Sequence, residues 1–405
     1  MTAQPVSLRR TGTDAGWDAI VVGARVAGAS TALLLARAGL RVLVVDRARR
    51  GSDTLSTHAL MRGGVMHLKR WGLLDGVAAT GAPPVRRVTF HYGREHLPVS
   101  LKPCAGVDAL YAPRRTILDA LLVEAAEEAG ARFRFGPVVT DLVRDGAARV
   151  VGVVVRDRAG VTWTEHAPLV IGADGRDSLV ATRAVASVTA AGDSRAAYAY
   201  GYWPAGDVDG YHWFYGRNDG RGLSAGVIPT NDALVCVFVA GPPAVLAAAA
   251  RHHGPAVALC ELLTRLDGGA GLVAAPPVGS VRLFRGMPAR LRRAHGPGWA
   301  LVGDAGWWKD PLSTHGITDA LRDAETLAGA VVAGAASRRT AEIALAGYEA
   351  QRDRSALAMH PIVDRLASHE WDLAEARRLL RALSSVMADE VEAIHGVDPV
   401  FARTA

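Results

Sequence analysis

Cysteine is scarce. Cys104, Cys236 and Cys260 are the only three in 405 residues, and no pair has the spacing of a redox couple or a metal knuckle. A disulfide-stapled scaffold is therefore excluded, and a reducing, cytoplasmic compartment is the simple expectation. Long apolar runs are absent too. The Ala-rich stretch Ala244–Ala250 is closed by Arg251 and two histidines, far short of the roughly 20 apolar residues a membrane helix needs. No stable membrane insertion is expected. Residues 1–16 lack the apolar centre of a signal peptide and read as a loose leader. Charge comes in no basic or acidic block. The 46 Lys and Arg against 40 Asp and Glu give a net +6 spread along the chain. That pattern argues against a nucleic-acid partner and leaves room for a basic cleft around an acidic or phosphorylated ligand. No nucleophile elbow, paired carboxylates or His/Cys cluster is visible, so hydrolase chemistry and a metal site are not expected.

What is present is a Gly-rich turn in a telling place. Asp18-Ala19-Ile20-Val21-Val22 reads as a strand, Gly23-Ala24-Arg25-Val26-Ala27-Gly28 as a tight turn, and Ala29 to Gly39 as a helix. Arg41 to Val45 is a second strand ending at Asp46, 23 residues after Gly23. Strand, turn, helix, strand and acid form the unit that binds an adenine dinucleotide. Gly23 permits the sharp turn, Gly28 lets helix and strand approach, and the amides of the helix start face a pyrophosphate. Asp46 is placed to accept ribose hydroxyls. Arg25 stands where the middle glycine of the usual fingerprint would be.

The chain is too long for one ordinary core, which points to two domains. Residues 62–74 and Arg115 to Ala129 read as helices, and 86–102 as strand. Arg132 to Leu142 and Ala148 to Arg158 form a hairpin pattern, with Thr162 to His166 beside it. Leu169 to Gly175 is an apolar strand that ends in a Gly-flanked acid, Asp174. Trp299 to Gly306 repeats that theme around Asp304. Between them lies most of the aromatic content: Tyr198, Tyr200, Tyr202, Trp203, Tyr211, Trp213, Phe214 and Tyr215, followed by Leu234 to Val239. This reads as an antiparallel sheet inserted into a discontinuous α/β domain. Residues 255–267 read as a helix and 279–287 as a strand. Gly316 to Val332 is a helix, and 341–395 is mostly helical with a break at Pro361. No sequence feature separates a capping role from a dimer contact for 365–395, so a monomer or a homodimer remains open.

Three separated signals, the 23–46 unit, Gly172-Ala173-Asp174-Gly175 and Gly303-Asp304, come in order. Together they resemble the single-component FAD-dependent monooxygenases of the p-hydroxybenzoate hydroxylase type over residues 17–360. The geranylgeranyl reductase-like branch is also similar. The resemblance implies a discontinuous Rossmann-like FAD-binding domain (17–85, 111–195 and 286–360), an inserted antiparallel substrate domain (86–110 and 196–285) and a C-terminal helical segment (361–405). It implies FAD as cofactor and NAD(P)H as transient reductant. It also implies hydroxylation or epoxidation of an aromatic or polyketide-like small molecule through a flavin C4a-hydroperoxide. The other branch implies reduction of an alkene or isoprenoid. The Trp-x-Trp-x-Ile-Pro motif of flavin-dependent halogenases is absent.

By that resemblance Gly23, Ala24, Val26, Ala27, Gly28, Asp46 and Arg47 hold the ADP half of FAD. Arg115, or its neighbour Arg114, approaches the pyrophosphate. Asp174 serves FAD and the nicotinamide cofactor. Gly303 and Asp304 hold the ribityl chain, and Pro311, Gly316 and Ile317 lie beside the ring. The family usually has Gly where Thr314 stands, Asn at Thr318 and often His at Trp307. Trp307-Trp308-Lys309-Asp310 is unusual. Lys309, His315 and Arg62 are candidate catalytic groups: Lys309 as a cation for reduced flavin or an anionic substrate, His315 for proton exchange. Arg62 precedes Gly63-Gly64 in a loop position near the flavin. Tyr211, Trp213 and Tyr215 share one strand face and, with Trp308, are candidates to bind a planar substrate. Ordinary sheet packing accounts for the same aromatic pattern.

Overall fold

The computed structural model describes residues 16–218, 220–273, 275–396 and 401. The expected leader, apart from Gly16, lies outside the described residues. A six-stranded sheet organises the chain. Its order is Arg132–Phe135, Val42–Asp46, Ala19–Val22, Val170–Gly172, Trp299–Leu301 and His295–Gly296, and only the last strand runs antiparallel. Strands added to one side of Ala19–Val22 come early in the chain and those on the other side come late. The order therefore reverses at the first strand, where α/β sheets open a ligand crevice.

Alternation along these strands builds two layers. Ala19, Val21, Val42 and Val44 pack on the helices Val26–Arg37, Arg115–Glu128 and Gly316–Ala333. Ile20, Val22, Leu43 and Val45 face the other way, onto Val139, Leu142, Val153 and Val155. Those last four belong to a separate three-stranded sheet, Val138–Arg144, Val150–Arg156 and Thr162–His166. The run read as one strand from Arg132 to Leu142 is thus split. Gly136 (φ +104°) turns the chain between two sheets.

A seven-stranded sheet carries the aromatics, in the order Arg282–Phe284, Ala197–Pro204, Leu234–Gly241, Arg221–Thr230, Tyr211–Asn218, Arg87–Tyr92 and Glu95–Ser100. The expected strand over 86–102 is a hairpin of the last two. The helix expected over 255–267 belongs to a longer element, Pro243–Thr264, bent where Gly254 (φ +79°) precedes Pro255. It covers one face of this sheet, which carries Phe214, Val227, Val237 and Val239. Tyr198, Tyr200, Tyr211, Trp213, Tyr215 and Phe238 occupy the other.

Pro361 does not break the C-terminal region. Helix Arg338–Ala367 runs through it, and the chain turns only before helix Leu373–His395. Pro361 lies on the exposed side, while Met359, Val363 and Leu366 keep the opposite side buried. Packing outweighs the lost backbone hydrogen bond there.

Candidate functional site

Four strand ends meet at one edge of the parallel sheet: Gly23 after Ala19–Val22, Asp46 at the end of its strand, Asp174 after Val170–Gly172 and Gly303 after Trp299–Leu301. The turn at Gly23 has φ +105°, and a Cβ there would lie 2.4 Å from the Ala173 carbonyl oxygen. At Gly28 a Cβ would lie 1.8 Å from the Gly23 carbonyl oxygen. These glycines are required by packing before any ligand is considered. Gly303 does similar work, since a Cβ there would approach Ala27 Cβ to 3.0 Å and Ala320 Cβ to 3.5 Å. It brings the starts of helices Val26–Arg37 and Gly316–Ala333 together.

Among the described residues no side chain caps either of these helix starts, whereas Ser178, Ser337 and Asp372 cap helices elsewhere. Two bare helix N-termini at the crevice suit an anionic, hydrogen-bond-accepting ligand. Asp46 accepts from the Ala24 amide at 2.6 Å and the Ala48 amide at 2.7 Å, fixing its carboxylate beside the turn. A cavity lined by Ala24, Arg25, Asp46, Arg49, Asp119 and Phe135 opens there. Arg25 leaves the turn, its guanidinium binding the Thr54 hydroxyl and, at 3.2 Å, the Asp53 carbonyl. This accounts for a long side chain at a glycine position. Arg115 is held by a double hydrogen bond to Asp119, at 3.0 and 3.1 Å, and Arg47 is exposed.

Asp174 acts first as a cap. It accepts from the Ser178 hydroxyl at 2.5 Å and from the Leu179 and Val180 amides at 2.7 and 3.1 Å. Asp304 is different. Among the described residues no hydrogen bond or ion pair reaches its carboxylate. Yet Asp304 Oδ1 would lie only 3.9 Å from a Cβ at Gly316, the first residue of helix Gly316–Ala333. Burial pushes its carboxyl upward while Lys309, Arg115 and Arg176 pull it down. An unshared carboxylate at a bare helix start is a ready acceptor for ligand hydroxyls.

Lys309 and His315 lie in a buried ion cluster, so Lys309 is not the solvent-facing loop lysine its position could suggest. Its ammonium contacts Asp319 and lies 3.8 Å from the centre of the Trp307 ring. Burial lowers it to about 7. Arg322 binds Asp319 at 2.7 Å, Asp323 at 2.9 Å and Glu390 at 2.9 Å, and Asp323 in turn accepts from the Gly303 amide at 3.0 Å. His315 Nε2 meets Glu390 at 2.5 Å. His315, Asp319 and Glu390 are close enough to share a cation. Lys309 and Arg322 already neutralise those carboxylates, however, so the group is an ion-pair cluster.

The ring-side loop is braced from the inserted sheet. Tyr198 donates to Asp310, which also accepts from the Leu312 and Ala196 amides, each at 3.0 Å. Burial raises Asp310 to about 6. Thr314 holds φ +53°, the left-handed conformation a glycine would adopt freely, at a cost of about 1–2 kcal/mol. Gly63 and Gly64 serve helix packing, since a Cβ on either would lie 3.0 Å from the Thr318 side chain. Arg62 itself donates to the Lys102 carbonyl at 2.8 Å. Tyr211, Trp213 and Tyr215 are all buried on the sheet face described above, and Tyr215 packs edge-on against Trp371. Trp308 donates to the Met287 carbonyl at 3.2 Å and packs edge-on against Phe284. Arg176, which the sequence reading passed over, lies across the Phe284 and Trp308 rings at 5.0 and 5.5 Å.

His58 ties this face to the cofactor side. Its Nδ1 donates to the Ala112 carbonyl at 3.2 Å, leaving Nε2 to accept from the Tyr202 hydroxyl at 3.1 Å. That arrangement is the neutral ring. Burial, aided by Arg115 and Arg114, lowers it to about 3. The unfolded chain binds this proton below pH 6.5 and the folded chain only near 3, so stability falls as pH drops through that window. The loss is on the order of 5 kcal/mol. Denaturant unfolding across that range is expected to show a flatter acid limb for His58→Gln than for the wild type. Superimposable limbs would remove this residue from the acid response.

The family described as FAD binding domain matches residues 17–360, and the chain belongs to it. FAD is the cofactor of that family, and the bare helix starts, the crevice and the unshared Asp304 fit it. A probable electron transfer flavoprotein-quinone oxidoreductase of Escherichia coli, YdiS, is 38% identical over 176 residues, 42% of this chain and 38% of that protein. The chain therefore matches less than half the length of this relative. Among solved structures, the flavin-dependent brominase Bmp2 superposes with a TM-score of 0.77 at 16% identity, over 94% of this chain and 93% of the other. PqsL, a probable FAD-dependent monooxygenase from Pseudomonas aeruginosa, gives 0.75 at 22% identity over 92% and 100%. At these identities the two structures speak for the fold.

Proposed function

We propose that the protein is an FAD-dependent monooxygenase acting on a planar aromatic or polyketide-like small molecule, with NAD(P)H as reductant. The observation that carries the reading is the meeting of Gly23, Asp46, Asp174 and Gly303-Asp304 at one sheet edge, with the aromatic sheet joined to the adjoining loop through Tyr198 and Asp310. FAD in that crevice would take electrons from NAD(P)H and use O2 to oxygenate the substrate. The helix-start amides of Val26, Ala27 and Gly28 would bind the pyrophosphate, with Gly23 and Ala24 shaping the turn through their own bonds to Val45 and Asp46, Arg115 nearby and Asp46 and Arg47 toward the adenosine. Asp304 would accept ribityl hydroxyls, while Asp174 keeps the adjoining loop in place through its helix cap. Pro311, Gly316 and Ile317 would border the ring, where the helix start favours negative charge. Lys309 and Arg322 are paired with Asp319, Asp323 and Glu390 behind that helix start and would hold it in place, and His315 would exchange a proton. Trp308 would border a planar ligand, while Trp213, Tyr211 and Tyr215 are packed in the sheet core and would support that region from within. The monooxygenase reading also draws on PqsL, which has been solved with 2-aminobenzoylacetate.

The test is rapid mixing of anaerobically reduced holoprotein with oxygenated buffer, with and without aromatic ligands. A transient species distinct from both reduced and oxidised flavin is expected. Direct return to oxidised flavin under every condition, together with anaerobic reduction of an alkene, would establish a reductase instead.

A further inference from the structure

Among the described residues, Glu390 is the one member of helix Leu373–His395 that enters the ion cluster behind the proposed flavin ring. It is buried and touches two groups at helix Gly316–Ala333: His315 Nε2 at 2.5 Å and Arg322 Nη1 at 2.9 Å. His315 directly precedes Gly316 at the bare helix start. Its other ring nitrogen, Nδ1, is buried and has no hydrogen-bond partner among the described residues. An ionised carboxylate on Nε2 selects the tautomer with the proton on Nε2, which leaves a lone pair on Nδ1. Such a ring accepts a proton without breaking any existing contact. This is the arrangement by which a carboxylate orients a proton-accepting histidine.

The surroundings set the poise. Asp319 and Arg322 face His315 from its own helix, Lys309 from the preceding loop and Glu390 from the C-terminal helix. Asp304 and Asp323 lie beyond Lys309, and His67 of helix Arg62–Arg70, paired to Glu325, faces Glu390. Burial lowers the imidazole, with Lys309 and Arg322 acting the same way and Glu390 opposing, and so favours the neutral ring. Burial alone would raise Glu390, but His315 and Arg322 hold it well below the usual carboxylate range. A negative charge arriving at the helix start would then favour protonation of His315.

We infer that Glu390 is a positioning residue that makes His315 a redox-linked proton acceptor, taking one proton from solvent onto Nδ1 when bound flavin is reduced. The inference rests on the FAD reading above. In balance, flavin takes two electrons and one proton from the reductant as a hydride. The reductant's C–H bond breaks as the hydride leaves, and His315 takes a second proton from water through a new Nδ1–H bond, with hydroxide released to solvent. Reoxidation returns that proton. The C-terminal helix is thereby part of the cofactor site.

The experiment is the flavin midpoint potential of the holoprotein against pH, above neutrality, for the wild type, Glu390→Gln and His315→Gln. The expected wild-type slope is two protons per two electrons, and in both variants it falls to one. In Glu390→Gln the new side-chain amide would donate to Nε2, move the ring proton to Nδ1 and block uptake. If Glu390→Gln does not hold FAD, the wild-type slope and His315→Gln decide the matter. A wild-type slope of one proton, or variant slopes equal to the wild type, overturns the inference while leaving the FAD reading intact. A folded wild type that binds no flavin overturns both.

Discussion

Gly28→Val is expected to yield protein without FAD and with a much lowered unfolding temperature. Even the first atom of the new side chain would lie 1.8 Å from the Gly23 carbonyl oxygen. That oxygen is backbone, fixed in a turn that already presses on Ala173, so no rotamer change relieves the clash. Helix Val26–Arg37 must move away from the sheet, and its buried leucines, Leu33, Leu34 and Leu35, lose close packing. Overpacking alone costs about 1–3 kcal/mol, and more where backbone must shift. The check is flavin absorbance per chain together with thermal unfolding. Wild-type values in both would mean that the turn is not built as described.

Asp304→Ala is expected to separate binding from folding. Asp304 makes no hydrogen bond or ion pair with another described residue, and burial penalises its charge. Removing it therefore costs the apo fold little and can even stabilise it. The lost contact is one to ligand hydroxyls. FAD affinity is expected to fall by at least about tenfold, equal to about 1.4 kcal/mol, within the range for a hydrogen bond to a charged group. Titration of apoprotein with FAD, followed by quenching of flavin fluorescence, measures this. Unchanged affinity would remove Asp304 from the cofactor site.

What was legible in the sequence was local. Gly23, Gly28 and Asp46 are tied to one turn and two strands, and spacing alone places them. The acids at Asp174 and Asp304 stand out because each ends an apolar run beside glycine. Other features depend on distant partners. Pro361 looks like a break until Met359, Val363 and Leu366 are seen buried on one side of a continuous helix. Lys309 looks like a loop lysine until Asp319 and Trp307 enclose it. Glu390 lies among Asp389 and Glu392, which resembles a solvated face. A signal for it did exist: Leu383, Met387, Glu390, Val391 and Ile394 recur at three- and four-residue spacing, so Glu390 falls on the apolar stripe. A carboxylate on such a stripe is buried only with partners. Here those are His315 and Arg322, about 70 residues away in sequence.

The central claim is that these strand ends and helix starts hold a reducible FAD. Its most direct measurement is the flavin stoichiometry of purified wild-type protein after saturation with FAD, followed by anaerobic addition of NADH or NADPH. The account predicts one FAD per chain and bleaching of the flavin band by one of the two nucleotides. Folded protein that takes up no FAD would contradict the claim at its root. Bound FAD that neither nucleotide reduces, with or without aromatic ligands, would contradict the proposed reaction while leaving the site in place.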